Sequence, residues 1–477
     1  MTNLILPGNP RYQPKQLFDM FGYDNLYRTV GEVEIANLQT MAEVGLIPAE
    51  VIALLTPEVQ ARVLSLTTTQ IEETERKVTK HDIRAWVTNA TKIVPPDMAP
   101  LLHVMLTSYD PLDTGRILQF SRAHRQVVRP ATQRTIQVMS GLVRTYADQL
   151  QIGRTHGQHA LPITVGFWLA TVLNRVIYNF QKMELHHTEL VGKISGAVGA
   201  YNAQVGLGAQ QANQASAQTY EERLLSKLGL KPARISTQIL PPEPLAYYLH
   251  SACMLSASLA QLGLDCRQLM RTEIAEIAEE FIVGQGGSST MAHKRNPINW
   301  ENLQAMWIRT KNEFGKVLDT LLSEHQRDLV GSAVARDFPI ILVNLVTQLN
   351  TLLRENDSGV PFLERMTVNA DNCSRNFQMN AHLILSEPLY IAIQMAGYMQ
   401  DGHELVNHTL VPRAQKSGRL LVEVAAEYAL EDEIFGEVWK QIPAEVIALL
   451  HHPEQYTGLA TQKALQIADF ADATALG

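Results

Sequence analysis

Residues 284–302 read GQGGSSTMAHKRNPINWEN and gather glycines, paired serines, a histidine, a lysine, an arginine and asparagines in one segment. Gly284, Gly286 and Gly287 leave the backbone nearly unrestricted, and Pro297 keeps a helix from running through Asn296. The hydroxyls of Ser288 and Ser289, with Lys294 and Asn296, make a donor-rich loop suited to closing over an anion rather than to packing. A second segment, GRTHGQHALP at 153–162, places His156 between Thr155 and Gly157, off any apolar stripe. An imidazole there could exchange a proton near neutral pH. A third, HVMLTSYDPLDTG at 103–115, sets Thr107, Ser108 and Asp110 ahead of Pro111. This is a turn and helix N-cap pattern, and a helix start with free N–H groups and hydroxyls also suits an anion; both readings stand. Lys80, His81 and Asp82 form a fourth polar group, whose spacing alone fits a surface histidine.

The elements that must position these groups are helical. Val33, Ile35, Leu38, Met41, Ala42 and Val44 recur at helical spacing within 31–50, and Gly45 ends the pattern. Residues 67–89 repeat it, with Ile71, Val78 and Ile83. Long helices follow from Asp113, with a kink at Pro130 and a helix over about 163–191. From Pro244, Leu245, Tyr248, Ala252, Leu255, Leu259, Leu262, Cys266 and Leu269 alternate steps of three and four, a heptad seam. A stutter carries it to Met270, Ile274, Ile277 and Phe281. The expected helix is roughly 57 Å long at about 1.5 Å per residue, a length that points to a bundle shared between subunits. Further helices start at about Ile298 and after Phe338. The fold class is all-α: an N-terminal helical domain at 1–110, a central long-helix bundle at 111–365 shared between subunits, and a C-terminal helical domain at 366–477.

Composition narrows the function. The chain has 477 residues, 46% of them hydrophobic and 18% charged, with net charge −8. With no long Lys/Arg run, this argues against nucleic-acid binding. Three scattered cysteines, Cys253, Cys266 and Cys373, fit neither a disulfide framework nor a zinc site. The first residues lack a signal-peptide pattern, and no stretch of about 18 apolar residues suggests a membrane span. The expected location is the cytoplasm, in a reducing environment.

Taken together the motifs resemble a known family. GSSTMAHKRNP is similar to the GSSxMPxKxNP signature of the fumarase/aspartase superfamily, and GRTHGQHALPITVG to that superfamily's histidine segment. His-Gly-Gln, NPRY, TKHD, HVMLTS, KISGAVGAYNA, STQI and HQRDLVGSAVAR, spread in order over most of the chain, resemble the adenylosuccinate lyases within it. The chain departs from the family at Ala292 and His159, where prolines are usual, and at Pro241, Pro242 and Glu243, which follow Gln238 in place of a more polar run.

The resemblance implies release of fumarate from adenylosuccinate and from the succinyl-carboxamide intermediate of purine synthesis. It assigns the base to Ser288, with Ser289 as the alternative, and the general acid to His156. Lys294 and Asn296 face the carboxylate whose charge grows, and Glu301 orients the acid. At the start of a helix, Glu301 equally suits the helix dipole. Arg11, Tyr12, Arg327, Ser332 and Arg336 match positions that hold the nucleotide or carboxylates, and His81, Asp82, His103, Thr107, Ser108, Thr155 and Gln238 complete the implied pocket. Sites shared between subunits of a homotetramer, a small nucleotide substrate, and no metal or organic cofactor follow from the same likeness. Another lyase or cycloisomerase of the superfamily, and a catalytically dead helical scaffold, are the competing readings.

Overall fold

The computed structural model describes residues 6, 8, 10–213, 217–280, 291 and 293–476. Ser288 and Ser289, with Ala292, lie outside the described residues. The chain is all-α apart from short two-stranded pairings. It forms two compact units, the first from Met1–Gln133, Tyr178–Ala260 and Asn302–Leu352, the second from Arg134–Ile177, Gln261–Glu301 and Leu353–Gly477.

In the first unit the Tyr23–Glu43 helix packs on the Tyr109–Ala123 helix. Val33, Ile35, Leu38 and Met41 are buried as the periodicity predicts, and Gly45 leaves the helix with a positive φ of 76°. Gly115 sets the approach of these helices: a Cβ there would lie 2.8 Å from Thr29 Oγ1. The Phe120 ring packs 5.0 Å from Phe21 and 6.4 Å from Tyr248, centroid to centroid.

The helix expected over 67–89 is two helices, Thr68–Thr74 and Asp82–Ala90, separated by a π-turn at Glu75–Thr79. His81 is the reason. It caps the second helix with extended backbone, its ring accepting from Arg84 N at 3.5 Å, and a cap residue cannot itself be helical. Val78, expected in the core, is 69% exposed. A second π-turn, His124–Val128, precedes Pro130, which lacks the N–H a regular ladder needs.

The stretch 330–353 is long and apolar enough to cross a membrane, against the sequence expectation. Its Pro339–Leu353 helix buries Ile341, Leu342, Val343, Leu345, Val346 and Leu349 in the first unit, and Gln348 donates to Ser256 O and Leu303 O at 3.2 and 2.6 Å. These are the marks of a core helix.

The long helix starting at Glu243 ends at Leu269 after 27 residues, about 40 Å. Its seam residues Tyr248, Ala252, Leu255, Leu259, Leu262 and Cys266 are buried. The expected continuation to Phe281 fails. Ala275 adopts φ 50°, Glu276 N donates back to Leu269 O at 3.0 Å, and Ile277–Ala278 pairs with Thr367–Val368 as a short antiparallel ladder. Met270, Ile274 and Ile277 keep helical spacing, but the buried Glu276 carboxylate hydrogen-bonds three residues of two other segments of the second unit, and this pins the backbone into a turn.

The second unit also holds the antiparallel hairpin β1 (Leu150–Thr155) and β2 (Gln158–Thr164). His156 and Gly157 form its two-residue turn with φ 53° and 76°, the sign pattern that matches strand twist. Ile152 joins an apolar cluster with Phe377, Leu389, Leu410 and Phe435.

Candidate active site

Several residues singled out by sequence converge in the first unit. His81 sits with Nε2 3.3 Å from Ser108 Oγ and Nδ1 3.3 Å from Asp82 Oδ1. Asp82 Oδ2 lies 3.8 Å from Arg336 Nη2, and Arg336 Nη1 donates to Ser332 O at 2.5 Å. Ser108, His81, Asp82, Arg336 and Ser332 thus form one polar chain drawn from three stretches of sequence. Behind it Tyr27 is buried, and burial first, then the charges of Asp82 and Glu75, push its phenol far above the ordinary range. Its hydroxyl therefore keeps its proton.

A second group lies alongside in sequence. Arg327 Nη1 donates to Gln238 Oε1 at 2.5 Å, and its guanidinium lies 3.5 Å from the Tyr109 ring centroid, a planar stack on an aromatic face. A groove runs beside it, lined by Tyr109, Asp113, Leu240, Leu245, Ser332 and Phe338 among others. Asp113 accepts from Leu240 N at 3.0 Å, and burial raises its carboxyl above the usual range. His103, at φ 63°, gives both its backbone N–H and Nδ1 to the buried carboxylate of Glu34, at 2.9 and 2.7 Å. Tyr12 carries Arg309 over its ring at 5.3 Å, and Arg11 is exposed in the same 3₁₀ turn.

Thr107 and Ser108 are held differently from the expected N-cap. Neither side chain caps the Tyr109–Ala123 helix; Asp110 reaches back and accepts from Thr107 N at 2.7 Å. The same carboxylate accepts from Ser195 N and Gly196 N at 3.1 and 3.3 Å and pairs with Lys193, both partners fully buried. Asp110, Lys193 and Glu34 were not picked out as site residues. A lysine beside Gly192 and a carboxylate in a helical run read as surface charges until burial is known.

The second unit carries the others. His156 and Thr155 are exposed at the hairpin tip, and Lys294 is exposed ahead of the Ile298–Asp319 helix. Asn296 is half-buried before Pro297. Glu301, in that helix's first turn, lies 3.8 Å from Arg267 Nε and shares no described hydrogen bond with His156. Glu279 caps the helix start, accepting from Asn299 N at 3.0 Å and Trp300 N at 3.3 Å while Asn299 Nδ2 donates to its other oxygen at 2.7 Å. Burial raises the Glu279 carboxyl, and these donors oppose the shift. His159, where the family has proline, faces Asn380 Nδ2 at 3.3 Å; burial and then Arg154 lower its basicity. Among the described residues no cluster of His, Cys, Asp and Glu could hold a metal ion.

This arrangement gathers guanidinium and hydroxyl groups in the first unit and leaves an imidazole exposed in the second. A family model described as lyase matches residues 29–310. An adenylosuccinate lyase of Archaeoglobus fulgidus is 30% identical over 96% of this chain and 97% of its own length. An N-acetyl-S-(2-succino)cysteine lyase of Dickeya dadantii is 28% identical over 100% and 98%. The crystal structure of a 3-carboxy-cis,cis-muconate lactonizing enzyme from Pseudomonas putida shares the fold, with TM-score 0.78 and 22% identity over 97% of this chain and 98% of that one. The chain is a lyase and belongs to the fumarase/aspartase superfamily.

Proposed function

We propose that the chain is an adenylosuccinate lyase, eliminating fumarate from adenylosuccinate to give AMP and from the succinyl-carboxamide intermediate of purine synthesis. The observation that carries this reading is the polar chain Ser108–His81–Asp82–Arg336–Ser332, with Arg327 on Gln238 nearby in sequence. Guanidinium and hydroxyl donors of this kind suit a phosphate and a dicarboxylate, and a nucleotide needs both. Arg11, Tyr12, His103 and Thr107 would complete the grip.

In the elimination, the alkoxide of Ser288 removes the proton from the carbon beside a carboxylate. Negative charge passes into that carboxylate, which Lys294 and Asn296 stabilise as it grows. The carbon–nitrogen bond breaks with its electron pair going to nitrogen, and His156 protonates the leaving nitrogen. Fumarate and the amine leave; solvent then takes the serine proton and reprotonates the imidazole. Serine is a poor base in water, so the Gly-rich turn and Lys294 must hold its alkoxide form. Glu301 would orient His156, and Thr155 and Ser289 would line the same site.

Within one chain His156 shares no described bond with Glu301, which supports a site completed by further copies in a homotetramer. Exposed apolar side chains on three long helices of the first unit support it too: Tyr178 with Leu185, Tyr247 with Met254, and Ile308 with Leu318. Buried, free Cys253, Cys266 and Cys373 fit a reducing cytoplasm.

The Dickeya and Pseudomonas relatives favour a second reading, in which another succinyl- or muconate-type acid is the substrate. Purified protein should show loss of adenylosuccinate absorbance on mixing. Turnover of N-acetyl-S-(2-succino)cysteine or a carboxymuconate without any of adenylosuccinate would replace the first reading by the second.

A further inference from the structure

His156 sits in a left-handed backbone conformation that a residue with a side chain adopts only when its surroundings impose it. The two-residue turn sets that φ, and Arg154, two residues before His156, anchors the strand that leads into the turn. Glu276 is fully buried, and its carboxylate accepts from Arg154 Nη2 at 2.6 Å, Arg154 Nη1 at 3.2 Å, Gln151 Nε2 at 2.9 Å and Asn376 Nδ2 at 2.8 Å. Gln151 and Arg154 both lie on β1, an odd number of positions apart, and regular alternation would turn them to opposite faces. The register shift between Ile152 and Arg154 reverses that alternation. Gly153 makes the shift possible, because a Cβ there would lie 2.8 Å from Leu161 O. Both side chains therefore reach one carboxylate.

Glu276 is itself gripped. Asn372 Nδ2 donates to Ala275 O at 2.9 Å, Asn376 Nδ2 to Ile274 O at 2.8 Å, and Asn369 N to Glu276 O at 2.8 Å. These bonds hold Ala275 at its own positive φ. A buried ion pair adds little net stability over apolar residues of equal volume. What the guanidinium fork adds is direction.

We propose that Glu276, acting through Arg154, is a positioning residue for His156: it locks the bulged strand so that the hairpin turn presents the imidazole in one orientation. This rests on the assignment of His156 as the general acid. Three Glu residues share the stretch 276–280, and the other two serve other segments, Glu279 the start of the Ile298–Asp319 helix and Glu280 Arg365. Only Glu276 touches the hairpin among them.

The test compares wild type, Glu276→Gln and Arg154→Lys by steady-state kinetics on whichever succinyl-type acid the wild type cleaves, and by hydrogen–deuterium exchange. Glu276→Gln should lower kcat about tenfold to a hundredfold, as misplaced catalytic groups do, with KM changed less than about threefold. Amides of 150–164 should exchange about tenfold faster while those of the Tyr23–Glu43 helix do not. Arg154→Lys, which keeps the charge and loses the fork, should fall between; it is the variant to read if Glu276→Gln does not fold. Wild-type kcat in both variants, or loss of protection spread evenly over the chain, would overturn the proposal. If the wild type cleaves none of the acids, the functional reading fails, and unchanged hairpin protection in Glu276→Gln alone decides against Glu276.

Discussion

Two buried carboxylates organise the two units, and they do so with different partners. Asp110 in the first unit takes three backbone N–H groups, from Thr107, Ser195 and Gly196, and one side-chain cation, Lys193. Glu276 in the second takes side chains alone, Arg154, Gln151 and Asn376. The first centre is mostly main chain and fixes where two loops meet. The second depends on the identity of three residues and fixes which way a strand faces. The difference teaches where substitutions can act: backbone donors survive almost any mutation, whereas a side-chain cage loses a wall with each one.

The sharpest way to break this comparison is to remove the one replaceable partner of Asp110. Lys193→Met leaves a carboxylate buried without a countercharge. It should cost about 3–5 kcal/mol, the penalty of breaking a buried pair from one side, read from the urea midpoint. Asp110→Asn combined with Lys193→Met should recover more than half of the loss, because the uncompensated charge is gone. A single-variant cost close to that of an ordinary surface change would mean that the backbone donors alone satisfy Asp110, and that the two centres are more alike than their partners suggest.

At Glu276 the corresponding change is milder. Gln151→Met deletes one of the donors to the carboxylate while Arg154 remains. A hydrogen bond to a charged group contributes about 1.5–3 kcal/mol, so the urea midpoint should fall by less than in Lys193→Met. The ordering of these two losses is the measurement. If Gln151→Met proved the more damaging, the side-chain cage would be the stiffer of the two frames.

Much of the helical framework was legible because burial repeats with the helix. Val33, Leu38 and Met41 mark one face of a helix that ends where Gly45 predicts, and Tyr248 to Cys266 mark another. The failures share one cause. Ile71, Val78 and Ile83, and again Met270, Ile274 and Ile277, have helical spacing, yet His81 caps a new helix inside the first set and Glu276 is drawn into a cage inside the second. Polar partners distant in sequence overrode a local apolar pattern. The hairpin was missed because its turn uses a histidine, not an asparagine or aspartate, before glycine. His81, Asp82, Ser108, Arg327 and Arg336 were singled out through motif resemblance, and the structure puts His81, Asp82, Ser108 and Arg336 in one polar chain. Asp110, Lys193, Glu34 and Glu276 were not, since nothing in a sequence says that a carboxylate is dry.

A third polar centre in the first unit sharpens the comparison because its core is a pair of stacked imidazoles rather than a lone carboxylate. His187 stacks on His124 with ring centroids 4.2 Å apart, and Ser121 Oγ lies 3.0 Å from His187 Nε2. His124 Nε2 faces Glu184 at 2.6 Å, Arg129 pairs with the same carboxylate, and Tyr248 closes the edge at 5.5 Å. Burial first, and then the neighbouring His124, lowers His187 from 6.5 to about 4; burial also lowers His124, against the pull of Glu184. A base with a depressed folded pKa takes its proton in the unfolded chain first, so its contribution is complete above 6.5 and is lost as pH falls towards about 4. His187 is partly open to solvent, and after screening the loss should be about 1–2 kcal/mol. Glu184, lowered because His124 and Arg129 outweigh its burial, adds a further loss only below its usual value of 4.5. Unfolding free energies measured from pH 7 to 4 should therefore slope downward in the wild type and run flatter in His187→Phe, which keeps the stack and removes the proton site. An equal slope in both would mean that the acid sensitivity does not come from His187.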